Sequence, residues 1–155
     1  MAEIVLFHHV MGPTDGLREL AESLASAGHR VHTPDLFDGE RFPSIDAGVS
    51  HLESIGFASL LERARASVEE LSPSLVYSGV SMGVIAAQYL AQTQPGAVGA
   101  VLLESCLPVT EFGDGWPPTV PVQIHGMSDD PFFAGEGDID NARELVSGAS
   151  AGSAT

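Results

Sequence analysis

Five short apolar runs, each followed by a stretch long enough for a helix or a structured loop, constrain this chain more than any single residue does. The runs are EIVLFH (3–8), HRVHT (29–33), SLVYSGV (74–80), AVGAVLLES (97–105) and TVPVQIHG (119–126). EIVLFH suits a strand buried on both faces of a sheet, and the other four read as further strands. Between them, GLRELAESLASA (16–27) places Leu17, Leu20, Ala21 and Leu24 on one helical face, with Thr14 or Asp15 as cap and Gly28 as the closing residue. GFASLLERARASVEEL (56–71) is strongly amphipathic, and MGVIAAQYLAQTQ (82–94) is apolar nearly all round. A short helix is expected after Ser44, and a last one over NARELVSG (141–148), capped by Asp138 or Asp140. Strands alternating with helices predict an α/β domain, doubly wound, with a parallel five-stranded sheet and helices on both faces. The 155 residues fit one such domain, 1–147. The low-complexity residues 148–155 read as a disordered tail.

The charge balance removes whole classes of partner. Twenty-one acidic residues stand against six basic ones, a formal charge of −15. Phosphate backbones and anionic lipid surfaces need clustered Lys and Arg, so neither a nucleic acid nor a membrane is expected as a partner. The single cysteine, Cys106, allows no internal disulfide, in keeping with a reducing cytoplasm. It reads as a buried apolar residue. Glu3 stands where a signal peptide would carry positive charge, and no apolar run approaches a membrane span. The expected location is cytoplasmic.

Chemistry is concentrated where the runs end. Ligands of open parallel sheets bind at the carboxyl ends of the strands. His8 and His9, His32 and Asp35, Ser81, Glu104 to Cys106, and His125 with Asp129 and Asp130 all map to that edge. Ser81 lies in Gly79-Val80-Ser81-Met82-Gly83, the G-x-S-x-G pattern of a nucleophile elbow, in the strand–turn–helix context the pattern requires. The Met82 amide is one expected oxyanion donor, and the Val10 amide, in the loop after the first run, is the other. The order Ser…Asp…His allows Asp129 or Asp130 as the acid, although either also reads as a loop carboxylate capping a turn at Pro131. No histidine follows His125. His8, His9 and His125 are the candidate pocket histidines, with His9 best placed to reach Ser81. No local metal-ligand motif such as H-E-x-x-H occurs, so no metal is expected. The first loop, HHVMGPTDG, lacks the composition of a phosphate cradle, which ranks a flavodoxin-like binding domain last.

With these residues placed, the chain resembles the dienelactone hydrolase family of α/β-hydrolases. VLFHHVMGPTDGLRELAESLASAGHRVHTPDLFDG, YSGVSMGVIAAQYLAQ and PVQIHGMSDDPFF carry the resemblance, which extends to about Leu145. It implies a strand order of 2-1-3-4-5 and a hydrolase without cofactor that acts on small-molecule esters or lactones. It maps the nucleophile onto Ser81, the oxyanion donors onto Val10 and Met82, and the acid onto Asp130 in preference to Asp129. Two departures stand out. Type members carry a cysteine at the elbow. Members also continue into another strand, a loop bearing the catalytic histidine and a closing helix. Against that pattern the chain is similar to a member cut short at its C-terminus. Impaired hydrolysis is then expected, with a non-catalytic binding or interaction module as the alternative. The sheet edge left after the fifth strand would invite a homodimer.

Overall fold

The computed structural model describes residues 1–135, 137–149 and 152–155. Its strands are β1 (Glu3–Phe7), β2 (Arg30–His32), β3 (Val76–Val80), β4 (Gly99–Leu103), β5 (Val122–His125) and β6 (Gly152–Ala154). They form one sheet in the order β2-β1-β3-β4-β5-β6, and every pairing is parallel. The expected class and the order of the first five strands hold. The helices are α1 (Asp15–Ser26), α2 (Ile45–Ile55), α3 (Phe57–Val68), α4 (Gly83–Thr93) and α5 (Asp138–Gly148). The chain runs from β1 outward to β2, then back across β1 to β3. With right-handed crossovers, that reversal puts α1 on one face and α3 and α4 on the other, where those two pack together.

The expected five strands are corrected to six. Gly152–Ala154, within the segment expected to be a tail, pairs with Val122–Ile124 of β5. The Gly126 and Thr155 amides extend the ladder to the Thr155 and Ile124 carbonyls, both at 2.8 Å. The β5 edge is therefore covered along these residues. A ladder is made by backbone groups, so three small residues join it without the apolar signature that marks the other strands. Ser150 and Ala151, also in the expected tail, lie outside the described residues. The short helix expected after Ser44 spans Ile45–Ile55, and the Ser44 hydroxyl accepts the Ala47 N–H at 3.2 Å.

The core follows from the patterns. Val5, Leu6 and Phe7 of β1 are fully buried, as its central place between β2 and β3 demands. α4 buries Val84, Ala86, Ala87, Gln88, Leu90 and Ala91, so little of its surface is left for water. Its small residues let it lie close on the sheet. Gly83 is the limiting case, because a Cβ there would collide with the Phe7 carbonyl oxygen and reach within 2.8 Å of that of His8.

Gly83→Ala is expected to destabilise the protein by about 1–3 kcal/mol, since the obstruction is backbone that cannot rotate away. Gly16→Ala, in α1 with nothing within 4 Å of the added carbon, is expected to stabilise it by about 0.4–1 kcal/mol. Urea unfolding midpoints of the two variants should move in opposite directions.

Candidate active site

The turn between β3 and α4 holds Ser81 in an unusual backbone conformation. Its φ is 52°, in the left-handed region that non-glycine residues seldom occupy. Such a conformation costs of order 1–3 kcal/mol and persists only where the surroundings enforce it. Three contacts do so here. The Ser81 N–H donates to the Leu103 carbonyl at 2.8 Å, tying the turn to β4. A Cβ on Gly79 would collide with the Gly83 backbone, so that glycine permits the sharp reversal. Gly83 rests on the end of β1, as above. Among the described residues the Ser81 hydroxyl has no hydrogen-bond partner, and the residue lines a cavity of about 490 Å³.

Two backbone amides converge on this cavity. Val10 and Met82 both line it, and among the described residues neither N–H donates to a protein acceptor. Met82 directly precedes α4, whose N-terminus adds positive potential. The Val10 loop is held from behind by α2. A Cβ on Gly48 would collide with the Val10 carbonyl, and this close seat brings Ile45 and Val49 into the cavity wall. On the opposite side Gln88 of α4 is fully buried. Its Oε1 accepts the Leu107 N–H at 3.0 Å and its Nε2 donates to the Leu107 carbonyl at 2.9 Å, which fixes the loop after β4.

His8, His9, His32 and His125 each have partners other than Ser81. The Leu36 N–H donates to His8 Nε2 at 2.9 Å. An N–H can only donate, so that nitrogen carries the lone pair and Nδ1–H donates to the His9 carbonyl at 2.7 Å. His8 is fully buried and does not line the cavity. Burial lowers its pKa from the ordinary 6.5, against smaller upward pulls from the His9 carbonyl and Asp35. His9 adopts the opposite tautomer. Its Nδ1 accepts the Met11 N–H at 3.1 Å, so the proton sits on Nε2, 3.3 Å from the Thr14 hydroxyl. His9 lines the cavity, and burial lowers its pKa too, yet its one lone pair is already used. His125 is exposed and away from the cavity wall, with Nδ1 2.8 Å from the Thr155 hydroxyl. His32 Nε2 lies 2.8 Å from Glu3 Oε1.

Of the two candidate acids, Asp130 lines the cavity, whereas Asp129 is exposed and does not. Asp130 Oδ1 accepts the Phe132 N–H at 2.8 Å and the Phe133 N–H at 3.3 Å, so the carboxylate also closes its own turn. Two further carboxylates line the cavity, Glu104 and Asp138. The position of Glu104 after the fourth run placed it on this edge. Asp138 reads from sequence only as a helix cap. Instead its Oδ2 accepts the Ser105 hydroxyl at 2.8 Å and the Cys106 N–H at 3.2 Å, linking α5 to the β4 loop. Cys106 is buried, and burial together with Asp138 pushes its thiol up to about 12, so it stays protonated. Among the described residues no group of three or more His, Cys, Asp or Glu could hold a metal ion, and no helix is long and apolar enough to cross a membrane.

This fold, with the β3–α4 turn at the carboxyl edge of the sheet, is that of the α/β-hydrolases. No family model and no curated protein matches the sequence. Solved structures match it along its whole length. A dienelactone hydrolase-like promiscuous phosphotriesterase from metagenomic libraries is 19% identical with a TM-score of 0.75, over 99% of this chain and 69% of that one. A Klebsiella pneumoniae protein assigned as a dienelactone hydrolase is 17% identical with a TM-score of 0.69, over 100% and 72%. Esterase 2 of Thermogutta terrifontis, in its apo form, is 15% identical with a TM-score of 0.61, over 99% and 70%. At these identities the likeness establishes the fold.

The neutral His8 makes stability depend on pH. Its folded value is depressed below the unfolded 6.5, so its contribution is complete above about pH 6.5 and is lost as pH falls toward the folded value. The unfolding midpoint is expected to drop from about pH 7 to about pH 5.5, and His8→Gln should flatten that slope. An unchanged slope in the variant would exclude His8 as its source.

Proposed function

We propose that the chain is a dienelactone hydrolase-like hydrolase of carboxylic esters or lactones that uses Ser81 as its nucleophile and needs no cofactor. The observation that carries this reading is the strained turn, whose hydroxyl lies at a cavity shared with the Val10 and Met82 amides, none of the three having a partner among the described residues. Ser81 Oγ attacks the ester carbonyl carbon and passes its proton to a water molecule, which returns it to the leaving alkoxide. The carbonyl oxygen, now negative, lies between the Val10 and Met82 amides. The alcohol leaves with a proton, and water then cleaves the acyl-serine to release the acid. Asp130 is the acid that would orient a base.

The same site supports slow turnover. A serine hydroxyl needs an adjacent base, and both nitrogens of His9 are engaged with Met11 and Thr14. Asp130, too, is partly spent on its own turn. Those commitments also favour the second reading, a hydrolase fold that binds a small molecule without converting it.

Hydrolysis of p-nitrophenyl acetate by the wild type and by Ser81→Ala separates the two readings. The wild type is expected to turn the ester over slowly, because both His9 nitrogens are engaged and Ser81 has no free imidazole lone pair beside it among the described residues. Ser81→Ala should reduce that rate by at least ~10-fold, an effect of about 1.4 kcal/mol. Equal rates in both proteins would overturn the catalytic reading.

A further inference from the structure

The charged groups that face the Ser81 cavity all have the same sign. Among the described residues Glu104, Asp130 and Asp138 line it, the one imidazole in the wall is that of His9, whose pKa burial lowers, and no arginine lines it. The chain's six basic residues are all arginines. Arg18 and Arg41 lie 3.5 and 3.6 Å from Asp15, Arg63 is 3.4 Å from Asp38, and Arg143 is 3.5 Å from Asp140. Arg65 lines a separate groove with Pro73 and Pro95, and Arg30 opens β2.

The carboxylates are held in place. Glu104 has a φ of 61°, and its N–H donates to the His125 carbonyl at 2.7 Å. Its Oε2 accepts the Met127 N–H at 3.1 Å. Asp138 is fixed by Ser105 and Cys106, and Asn141 Nδ2 donates to the Cys106 carbonyl at 3.0 Å, bracing the same loop. These hydrogen bonds hold the Glu104 and Asp138 carboxylates at the cavity wall. The remaining wall is apolar. Ile45, Val49 and Phe132 line the cavity while remaining 44%, 37% and 50% exposed, an apolar rim with room for a ligand to cover it.

We infer that this cavity selects uncharged esters with an apolar acyl chain and rejects esters whose acyl chain ends in a carboxylate, with Glu104 and Asp138 setting the choice. The inference rests on the reading that the substrate lies beside Ser81. A terminal carboxylate would give up water beside fixed negative charges, with no cation to replace that hydration. An alkyl chain would instead cover Ile45, Val49 and Phe132 and remove their surface from water.

The test uses a pair of ligands of matched length, methyl hexanoate and monomethyl adipate, titrated into the Ser81→Ala protein so that neither is consumed. Backbone amide NMR shifts of Val10, Met82 and Val49 report binding. Methyl hexanoate is expected to bind at least ~10-fold more tightly, about 1.4 kcal/mol. Glu104→Gln and Asp138→Asn should each narrow that ratio, as should added salt. Equal affinity for the two ligands, or no binding of either, would overturn the inference. Turnover of the same esters by the wild type is read separately. Preserved selectivity without Ser81-dependent turnover would defeat the hydrolase reading alone. Equal affinity alongside Ser81-dependent turnover would defeat the selectivity alone.

Discussion

The first residue of α4 lies against the carbonyl groups that end β1, and the rest of the site depends on that contact. Only a residue without a Cβ can sit at Gly83, because the neighbours are the Phe7 and His8 carbonyl oxygens. The contact brings the start of a helix against the loop after a neighbouring strand. It sets Met82 and Val10 on the wall of one cavity and forces the preceding residue, Ser81, to a φ of 52°. The tie from Ser81 N–H to Leu103 adds the third strand end to the assembly. A turn held by three strands keeps a conformation that an isolated serine would abandon.

The same loops spend their histidines on architecture. His8 and His9 are adjacent, yet backbone donors approach them at opposite ring nitrogens, so they hold opposite tautomers. Each is neutral and each organises a loop, His8 toward Leu36 and His9 toward Met11 and Thr14. The cavity that results is rich in carboxylates and apolar carbon and, among the described residues, has no arginine in its wall. The proposed hydrolysis then rests on one hydroxyl, two amides and the potential at the N-terminus of α4.

Much of this was legible in the sequence, for a physical reason in each case. Strands inside the sheet must be largely apolar, which marks β1, β3 and β4 directly, while β5 shows as the alternation of buried Val122 and Ile124 with exposed Gln123 and His125. The glycines flanking Ser81 announce a close approach because only Gly tolerates it. Other features left no such trace. β6 is built from Gly152, Ser153 and Ala154, which contribute backbone and almost no side-chain signal. The short helix expected after Ser44 gave no sign that Ile45 and Val49 line a cavity, which follows only from the seat of Gly48 on Val10. The roles of His9 and Asp138 turn on which nitrogen or oxygen meets which N–H, something spacing along the chain does not encode. The strand order was available only through resemblance to a known family.

The central claim is that the fold presents Ser81 as a nucleophile, and covalent labelling tests it most directly. The protein is incubated with an alkyl fluorophosphonate, which transfers its phosphonyl group to an activated serine with loss of fluoride. Intact mass and peptide mapping then locate the adduct. The account predicts a single adduct on Ser81, formed slowly and lost in Ser81→Ala. No adduct on Ser81, or labelling of other serines at the same rate, would contradict it.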